Sequence, residues 1–484
     1  MDFYKIIETI SSWIWGWPFI ALCLLTGLYF SIRMRFLQLR YFKRMVKLLF
    51  FSKSSDSGIS SLQAFMLALS GRVGTGNIAG VATAIALGGP GAIFWMWLLA
   101  FLGAGTTFIE CSLGQIYKEK IDGVYRGGPA YYILKGLGNK WYAIAFATVT
   151  VLSMGILMPG VQANAISDAF QTSFSMDKIW SSGIVVLLLS LIIFGGVRRI
   201  ARVAEVLTPF MAIGYMLIAI FILAINYQLI PSMFKLIMES AFGLNQALSG
   251  IVGAAITMGV KRGIFSNEAG QGTSPHAAAA AEVSHPAVQG LVQAFSVYVD
   301  TWFVCSTTAF MILITGMYKV FDSAAATTII VDGMGLPAAM NEYGPIFTQM
   351  AVDKHIPGFG SAFVALALFF FAFTTIMSYY FQAETNIYFL FRRKRASFYA
   401  INILRITFLT ATFFTGINEM TLAWNMADIG VGMMAWFNLI AILFLQVVAL
   451  KVFSDYETQL KSGITGPVFR PEKLKIKNTN EWKG

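Results

Sequence analysis

The sequence predicts an all-α, polytopic membrane protein in which ten core helices form two inverted halves of five, preceded by one extra helix. Of its 484 residues, 57% are hydrophobic and only 12% are charged, a composition typical of membrane proteins. Its hydrophobic segments are long enough to cross a bilayer as helices. Two of them, at residues 62–88 and 248–282, are interrupted at their centres by glycine and polar residues.

We predict eleven spans, at residues 13–33, 62–88, 91–117, 141–165, 180–197, 203–225, 248–282, 288–318, 359–381, 398–415 and 422–452. The first span is too long for a signal peptide and no small-residue cleavage site follows it, so we expect it to remain in the protein. The three cysteines, Cys23, Cys111 and Cys305, fall within spans. They are expected to act as small apolar side chains and not as disulfides or metal ligands.

The distribution of positive charge predicts the topology. The formal net charge is +11. Basic residues fill alternate loops, with Arg33, Arg35, Arg40, Lys43, Arg44, Lys47 and Lys53 in the first, Lys118, Lys120, Arg126, Lys135 and Lys140 in the third, and Arg198, Arg199 and Arg202 in the fifth. By the positive-inside rule the N-terminus lies outside and the C-terminus in the cytoplasm, in a cell membrane. Because the charge follows topology, we expect the lipid bilayer and no nucleic acid as a partner.

The spans divide the chain into four parts. These are residues 1–61 with the extra helix and a basic loop, 62–226 with the first five-helix half, 227–452 with the second half, and the tail 453–484, expected to be flexible. Because five is odd, the second half is inverted relative to the first. The second half includes an outer loop, residues 319–357, which carries Asp322, Asp332, Glu342 and Asp353. A loop of this length is either a lid over a binding site or a packed cap.

The two interrupted spans point to a binding site. Residues 70–80 read SGRVGTGNIAG and residues 259–270 read GVKRGIFSNEAG. Glycine and asparagine disfavour a helix interior, and an interruption in hydrocarbon survives only inside the protein or along a cavity. Interrupted helices at corresponding places in two halves indicate the binding site of a secondary transporter. The alternative is a pair of kinked helices whose glycines allow close packing.

The direction of each interrupted span predicts the groups that it presents. The first half of span two ends near Ser70 with free carbonyl groups, which suit a cation. Its second half starts near Gly76 and Asn77 with free amides, which suit a carboxylate. In span seven, free carbonyls are expected at residues 257–259, where they suit an ammonium group. An amino acid carries both charges, so the two interruptions together favour an amino acid as the ligand.

The ninth span supplies a third element, in which the hydroxyl side chains of Thr374, Thr375 and Ser378 follow a run of phenylalanines. Neighbouring hydroxyl groups would complete an oxygen cage for Na⁺. In the alternative, each hydroxyl bonds back to a carbonyl one turn earlier, as is common in membrane helices. The residues by themselves leave both interpretations open.

Three motifs resemble those of the alanine/glycine:cation symporter family. They are GTGNIAG at residues 74–80, GGPGAIFWMW at 88–97 and SNEAGQG at 266–272. The resemblance extends from the second span to the eleventh. It implies a LeuT-type core of two inverted five-helix repeats, and Na⁺-coupled uptake of alanine or glycine by alternating access. Alternatives are an H⁺-coupled amino-acid symporter and a non-transporting amino-acid receptor of the same fold.

The resemblance also assigns expected site residues. The expected substrate-binding residues are Gly74, Thr75, Gly76, Asn77, Gln162, Phe265, Ser266 and Asn267, with Gln162 assigned by position only. The expected Na⁺ site consists of Ser70, Val73, Phe371, Thr374 and Thr375. In the wider LeuT-type pattern, two adjacent hydroxyls on the eighth core helix join carbonyls of the first. The resemblance therefore favours the oxygen cage over back-bonding.

Charged residues within spans pair inside the protein or mark a pathway. Arg72 and Arg262 lie in the interruptions, and Glu268 and Asp300 are their expected partners, as a gate or as static ion pairs. An intramembrane enzyme needs a catalytic motif, and the chain contains neither HExxH nor GxSxG. A channel needs repeated filter segments or an oligomeric ring. We therefore expect neither an enzyme nor a cofactor, with Na⁺ as the coupling ion.

Overall fold

The computed structural model describes residues 3–50, 58–322, 328–333, 335–337, 343–392 and 394–482, which are mostly helical. In chain order the α-helices are α1 (Phe3–Ile14), α2 (Trp17–Arg33), α3 (Leu37–Arg40), α4 (Phe42–Phe50), α5 (Ser61–Arg72), α6 (Val81–Gly88), α7 (Gly91–Ile116), α8 (Pro129–Tyr132), α9 (Lys140–Leu152), α10 (Met158–Phe174), α11 (Lys178–Ile193), α12 (Gly196–Ile225), α13 (Ile230–Ala241), α14 (Val252–Asn267), α15 (Ser274–Ala280), α16 (Pro286–Tyr298), α17 (Ser306–Thr315), α18 (Pro345–Asp353), α19 (Gly360–Leu390), α20 (Lys394–Gly416), α21 (Met420–Lys461) and α22 (Pro471–Leu474). Two antiparallel hairpins pair β1 (Glu119–Ile121) with β2 (Val124–Arg126) and β3 (Lys319–Phe321) with β4 (Ile329–Asp332).

Within the described part of the chain, eight helical stretches are long and apolar enough to cross a membrane. They are Lys5–Arg33, Gly91–Ile116, Lys140–Phe174, Gly196–Ile225, Pro286–Thr315, Gly360–Leu390, Arg395–Gly416 and Met420–Lys461. The remaining predicted spans are the two interrupted ones and span five, whose helix α11 has 16 residues. Several helices outrun the predicted spans, because hydropathy marks only the apolar part of a helix. The number of eleven crossings and the outside position of the N-terminus stay predictions.

Helix α7 lies at the centre of the fold and positions the second interrupted helix. It packs against α2, α13, α14, α15 and α16, and most of its residues are buried. Two of its glycines allow this close approach: a Cβ atom would lie 2.7 Å from Ala269 at Gly103, and 2.8 Å from Pro275 at Gly114.

The second interruption lies further along the chain than predicted. Helix α14 runs without a break through residues 257–263, so the expected free carbonyls at 257–259 are wrong. The glycines there serve packing instead, since a Cβ atom at Gly259 would lie 2.5 Å from Trp95 and one at Gly263 would lie 2.8 Å from Leu99. The actual interruption is residues 268–273, between α14 and α15.

The outer loop is partly structured. It contains the β3–β4 hairpin and α18, which packs against α17 and α19. The carboxylate of Asp353 accepts the Gly358 N–H at 3.1 Å and so stabilises the turn after α18. Glu342 lies outside the described residues. Whether the loop acts as a lid stays a prediction.

The prediction of a flexible tail is wrong for residues 453–482, the part of the tail that the structure describes. Helix α21 continues to Lys461, and the following segment packs back on the protein through two buried aromatic rings, Phe469 and Trp482, with centroids 5.1 Å apart. Trp482 Nε1 donates to the Gln115 carbonyl at 2.9 Å, and the Phe469 N–H donates to the Ser284 carbonyl at 2.9 Å. The tail is mostly polar in composition, so its sequence did not indicate that Phe469 and Trp482 would be buried against the protein.

Candidate substrate and cation site

The first interruption lies where the sequence places it. Helix α5 ends at Arg72 because Val73 has an extended backbone, with ψ of 91°. The chain resumes as a π-helical segment, Gly76–Gly80, which leads into α6. All residues from Ser70 to Gly80 are buried, so the interruption lies inside the protein.

Two side-chain amides hold the backbone of this interruption. The Gly74 N–H donates to Asn77 Oδ1 at 2.8 Å, and the Thr75 N–H donates to Gln162 Oε1 at 3.0 Å. Gln162 Nε2 in turn donates to the Tyr379 hydroxyl at 3.3 Å. The structure therefore brings Gln162, assigned by position only, into contact with the predicted carboxylate-binding segment.

Four oxygens of the predicted cation site converge. Thr375 Oγ1 lies 2.8 Å from the Ser70 carbonyl oxygen, 3.3 Å from that of Val73 and 2.9 Å from that of Phe371. The neighbouring hydroxyl, Thr374, bonds back to the Phe371 carbonyl at 3.0 Å. Both interpretations of the hydroxyl pair thus apply: Thr375 reaches the interruption as well as a carbonyl of its own helix, while Thr374 bonds back to its own helix.

The glycines of the first interruption are sites of close approach. At Gly74 a Cβ atom would clash with Thr375 Oγ1. At Gly76 it would lie 3.1 Å from Ser266 Cα and 3.2 Å from Phe265 Cδ1. Glycine at these positions therefore lets α19 and the end of α14 reach the interrupted backbone.

Asp300 connects the two interrupted helices. Its fully buried carboxylate accepts hydrogen bonds from Asn77 Nδ2 at 2.6 Å, from Ser266 Oγ at 2.9 Å and from Thr301 Oγ1 at 2.8 Å. Asp300 lies in a π-helical segment, Val299–Cys305, between α16 and α17. Two predicted substrate residues, Asn77 of the first interruption and Ser266 in the last turn of α14, thus bond to one buried acid.

The second interruption turns sharply after α14. Glu268, Gly270 and Gly272 have φ values of +55°, +81° and +85°, in the left-handed region that glycine adopts most readily. Asn267 caps the end of α14, since its Oδ1 accepts the Ala269 N–H at 3.0 Å and its Nδ2 donates to a hydroxyl of the Asp300 segment at 3.2 Å.

Glu110 of α7 anchors this second interruption. Its Oε1 accepts the Gly270 N–H and its Oε2 the Gly272 N–H, each at 3.2 Å. Asn438 Nδ2 donates to the same carboxylate at 2.7 Å and to the Gly270 carbonyl at 2.9 Å, and the Tyr132 hydroxyl bonds to Asn438. One signal of this role is visible in the sequence, namely an acidic residue in the middle of an apolar span.

The prediction that Arg72 forms an ion pair with Glu268 or Asp300 is wrong. In the described chain, no ion pair within 4.0 Å joins Arg72 to Glu268 or Asp300. Its guanidinium donates instead to neutral oxygens: Ser274 Oγ at 2.7 Å, Ser296 Oγ, and the Gln293 carbonyl at 3.0 Å. Glu268 accepts from Thr273 Oγ1 at 2.8 Å. Arg72 therefore ties the end of α5 to α15 and α16.

The prediction that Arg262 pairs with Glu268 or Asp300 is also wrong. Because α14 stays helical, Arg262 points away from Glu268 and meets Asp428 of α21, with 2.8 Å between Nη2 and Oδ2. Lys261 Nζ lies 2.7 Å from the same oxygen. Asp428 lies within the predicted span 422–452, and nothing in the sequence pattern around it predicts this pairing.

The fold matches that of known transporters. MhsT, solved in complex with L-phenylalanine, aligns with a TM-score of 0.51 and 13% sequence identity, covering 82% of this chain and 98% of that one. The predicted LeuT-type fold is thereby confirmed.

Curated relatives cover almost the whole chain. YrbD of Bacillus subtilis, provisionally described as a sodium/proton-dependent alanine carrier, is 54% identical over 99% of this chain and 97% of its own length. A sodium/proton-dependent alanine carrier of Bacillus sp. PS3 is 48% identical over 91% and 97%. GlnT of Bacillus subtilis, named provisionally as a sodium/glutamine symporter, is 41% identical over 98% and 94%.

The family is identified by its sequence model. The model of the sodium:alanine symporter family matches residues 1–471, which includes both interruptions and every predicted site residue. Together with the eight candidate membrane spans and the transporter fold, this match shows that the chain is a multi-pass membrane transporter of the sodium:alanine symporter family.

Proposed function

We propose that the protein takes up alanine, and other small neutral amino acids including glycine, by Na⁺-coupled symport through alternating access. The observation that carries the proposal is the convergence of oxygens on Thr375. The Thr374 hydroxyl donates to the Phe371 carbonyl. The Thr375 hydroxyl lies within 3.3 Å of both the Ser70 and the Val73 carbonyl oxygens but can donate its one proton to only one of them, so at least one of these two acceptors lacks a hydroxyl donor. Backbone carbonyl and hydroxyl oxygens are ligands that suit hard cations. These residues therefore fit Na⁺.

The substrate site lies next to this cluster. Gly74 touches Thr375 on one side, and Gly76 faces Phe265 and Ser266 on the other. We infer that the substrate carboxylate takes over the N–H groups at Gly74 and Thr75, because a charged acceptor forms a stronger hydrogen bond than a side-chain amide oxygen. The close approach of α14 at Gly76 favours substrates with small side chains.

Sodium coupling supplies the driving force and needs no cofactor. Each Na⁺ that crosses 100 mV releases about 2.3 kcal/mol. At 1.4 kcal/mol per factor of ten, one ion concentrates the substrate roughly fiftyfold from the potential. Because the Ser70 and Val73 carbonyls belong to the same interruption that holds the substrate, a bound cation stabilises the backbone around both ligands.

The test is uptake of labelled alanine into proteoliposomes that contain the purified protein. An inward Na⁺ gradient should drive accumulation above the external concentration. Replacing Na⁺ by choline at constant pH should abolish it. Accumulation that continues unchanged in choline would overturn Na⁺ coupling, and absence of alanine uptake under either condition would overturn the substrate assignment.

A second candidate function is H⁺-coupled symport, which Asp300 favours. The Thr375 cluster contains no group that takes up a proton, whereas Asp300 is a buried carboxylate bonded to both interrupted helices, through Asn77 in one and Ser266 in the other. In the described chain no basic side chain lies within 4.0 Å of it. If H⁺ is the coupling ion, an inward pH gradient without Na⁺ should drive alanine uptake, and Asp300→Asn should abolish that uptake while leaving alanine exchange intact.

A further inference from the structure

A buried cluster of charged and aromatic groups lies beside the candidate substrate site without belonging to it. Arg262, Lys261 and Asp428 place two positive charges against one carboxylate, and both cations use the same oxygen, Oδ2. The Arg262 guanidinium carbon lies 4.2 Å from the centroid of the Trp424 ring. Arg262 is only 3% exposed, so its charge is desolvated.

This cluster has unused hydrogen-bonding groups. In the described chain, Nε and Nη1 of Arg262 and Nε1 of Trp424 are buried donors without a partner, and Oδ1 of Asp428 is a buried acceptor without one. Buried polar groups are normally satisfied, and an unmet one costs about 1–3 kcal/mol. Three free donors with an excess positive charge suit a carboxylate, and one free carboxylate oxygen suits an ammonium group. An amino-acid zwitterion carries both.

The cluster and the candidate substrate site share one neighbour, the ring of Phe265. The Phe265 ring lies 4.8 Å from the Trp424 ring and 5.8 Å from the Arg262 guanidinium carbon, centroid distances in both cases. Phe265 Cδ1 also lies 3.2 Å from the Cβ position of Gly76. Phe265 therefore lies between the cluster and Gly76, while Trp424 and Arg262 come within 4.0 Å of the Cβ position of Gly80 at the end of the same interruption. In the predicted orientation α14 descends from outside, which places Arg262 on the outer side of Phe265.

We propose that Arg262, Trp424 and Asp428 form an outer binding site for the amino-acid zwitterion, with its carboxylate on the free edge of the Arg262 guanidinium. The substrate passes from this site beyond Phe265 to the interruption at Gly76. The planar guanidinium offers two N–H groups in the geometry that a carboxylate accepts, which an ammonium group does not. This inference rests on the proposed amino-acid transport and adds a second site to it.

Arg262→Gln and Lys261→Gln form a matched pair for the test, because each removes one cation from Asp428 but only the first removes the free guanidinium edge. In proteoliposomes at saturating Na⁺, Arg262→Gln should raise the KM of alanine uptake roughly tenfold, the loss of about one charge-assisted hydrogen bond. Lys261→Gln should raise it less than about threefold. Equilibrium binding of alanine to Arg262→Gln protein in detergent should stay within about threefold of wild type, since the inner site is intact.

Equal KM values for the two variants would overturn the outer site and leave an ordinary ion pair. If Arg262→Gln does not accumulate in the membrane, Arg262→Lys keeps the charge beside Asp428 and removes the planar edge, so a wild-type KM there would equally overturn the proposal. Alaninamide lacks the carboxylate, so its inhibition of alanine uptake should be the same in wild type and Arg262→Gln. Failure of the proposed function is a different result, namely wild-type protein without Na⁺-dependent alanine uptake.

Discussion

The two interruptions differ in what holds their backbone. At the first, neutral amide oxygens of Asn77 and Gln162 accept the free N–H groups. At the second, the carboxylate of Glu110 accepts two N–H groups at once. A charged acceptor forms hydrogen bonds about twice as strong as a neutral one. The backbone of the first interruption is therefore suited to exchange its hydrogen-bond partners for a ligand. The backbone of the second is suited to stay fixed when a ligand binds.

The largest effect is expected at Gly76, where this comparison predicts a ligand. In Gly76→Val the side chain would meet Ser266 and Phe265 across gaps of 3.1–3.2 Å, so alanine binding should be abolished while the protein still inserts and folds. Gly214→Val is the control, because no atom lies within 4 Å of a Cβ there. Binding measured by scintillation proximity in detergent checks this, and near-normal alanine affinity in Gly76→Val would remove the first interruption from the substrate site.

The second prediction tests the fixed interruption. Glu110→Ala leaves the Gly270 and Gly272 N–H groups without their acceptor, which should cost roughly 2–4 kcal/mol of stability. Thermal inactivation in detergent should shift to clearly lower temperature, with Glu110→Gln between Ala and wild type because it keeps one acceptor oxygen. Glu239→Ala, on the half-exposed face of α13, should behave as wild type. Wild-type stability of Glu110→Ala would show that α7 does not anchor this segment.

The third prediction separates the two neighbouring hydroxyls. Thr375→Val removes the oxygen that meets Ser70 and Val73, so the Na⁺ concentration for half-maximal alanine binding should rise at least tenfold. Thr374→Val should change it less than about threefold, since that hydroxyl bonds to its own helix. Coupling between sites is reciprocal, typically about 1–3 kcal/mol, so saturating Na⁺ should restore alanine affinity in Thr375→Val. A Na⁺ titration that is identical in the two variants would contradict the assignment.

The smallest effect concerns the far end of the second interrupted helix. Lys118 Nζ donates to the Ala281 carbonyl at 2.9 Å, and desolvation by burial lowers the pKa of Lys118 to about 7. Between about pH 7 and pH 10 the unfolded chain then binds more protons than the folded one, so this residue makes stability rise with pH across that window. Lys118→Met should flatten the rise in thermal stability. An unchanged pH profile would show that Lys118 stays charged when folded.

Of the two interruptions, only the first could be located correctly from the sequence. The motif at residues 74–80 was sufficient to locate the first interruption, because glycine and asparagine act on the backbone locally. The second interruption was placed too early, since Gly259 and Gly263 look like helix breakers in sequence but are packing positions against α7. A glycine in a sequence does not reveal whether a neighbouring helix or a turn requires it.

The sequence by itself determined the membrane class, the helical segments, the first interruption and the family motifs, because each follows from local composition and spacing. Only the tertiary structure decided which polar groups meet. It joined Glu110 to Gly270 and Gly272 across 160 residues or more, Arg262 to Asp428 across 166, and Thr375 to Ser70 across 305. Hydrogen bonds and ion pairs depend on distances of about 3 Å between atoms. Such distances are fixed by how the helices pack, which no local pattern along the chain records.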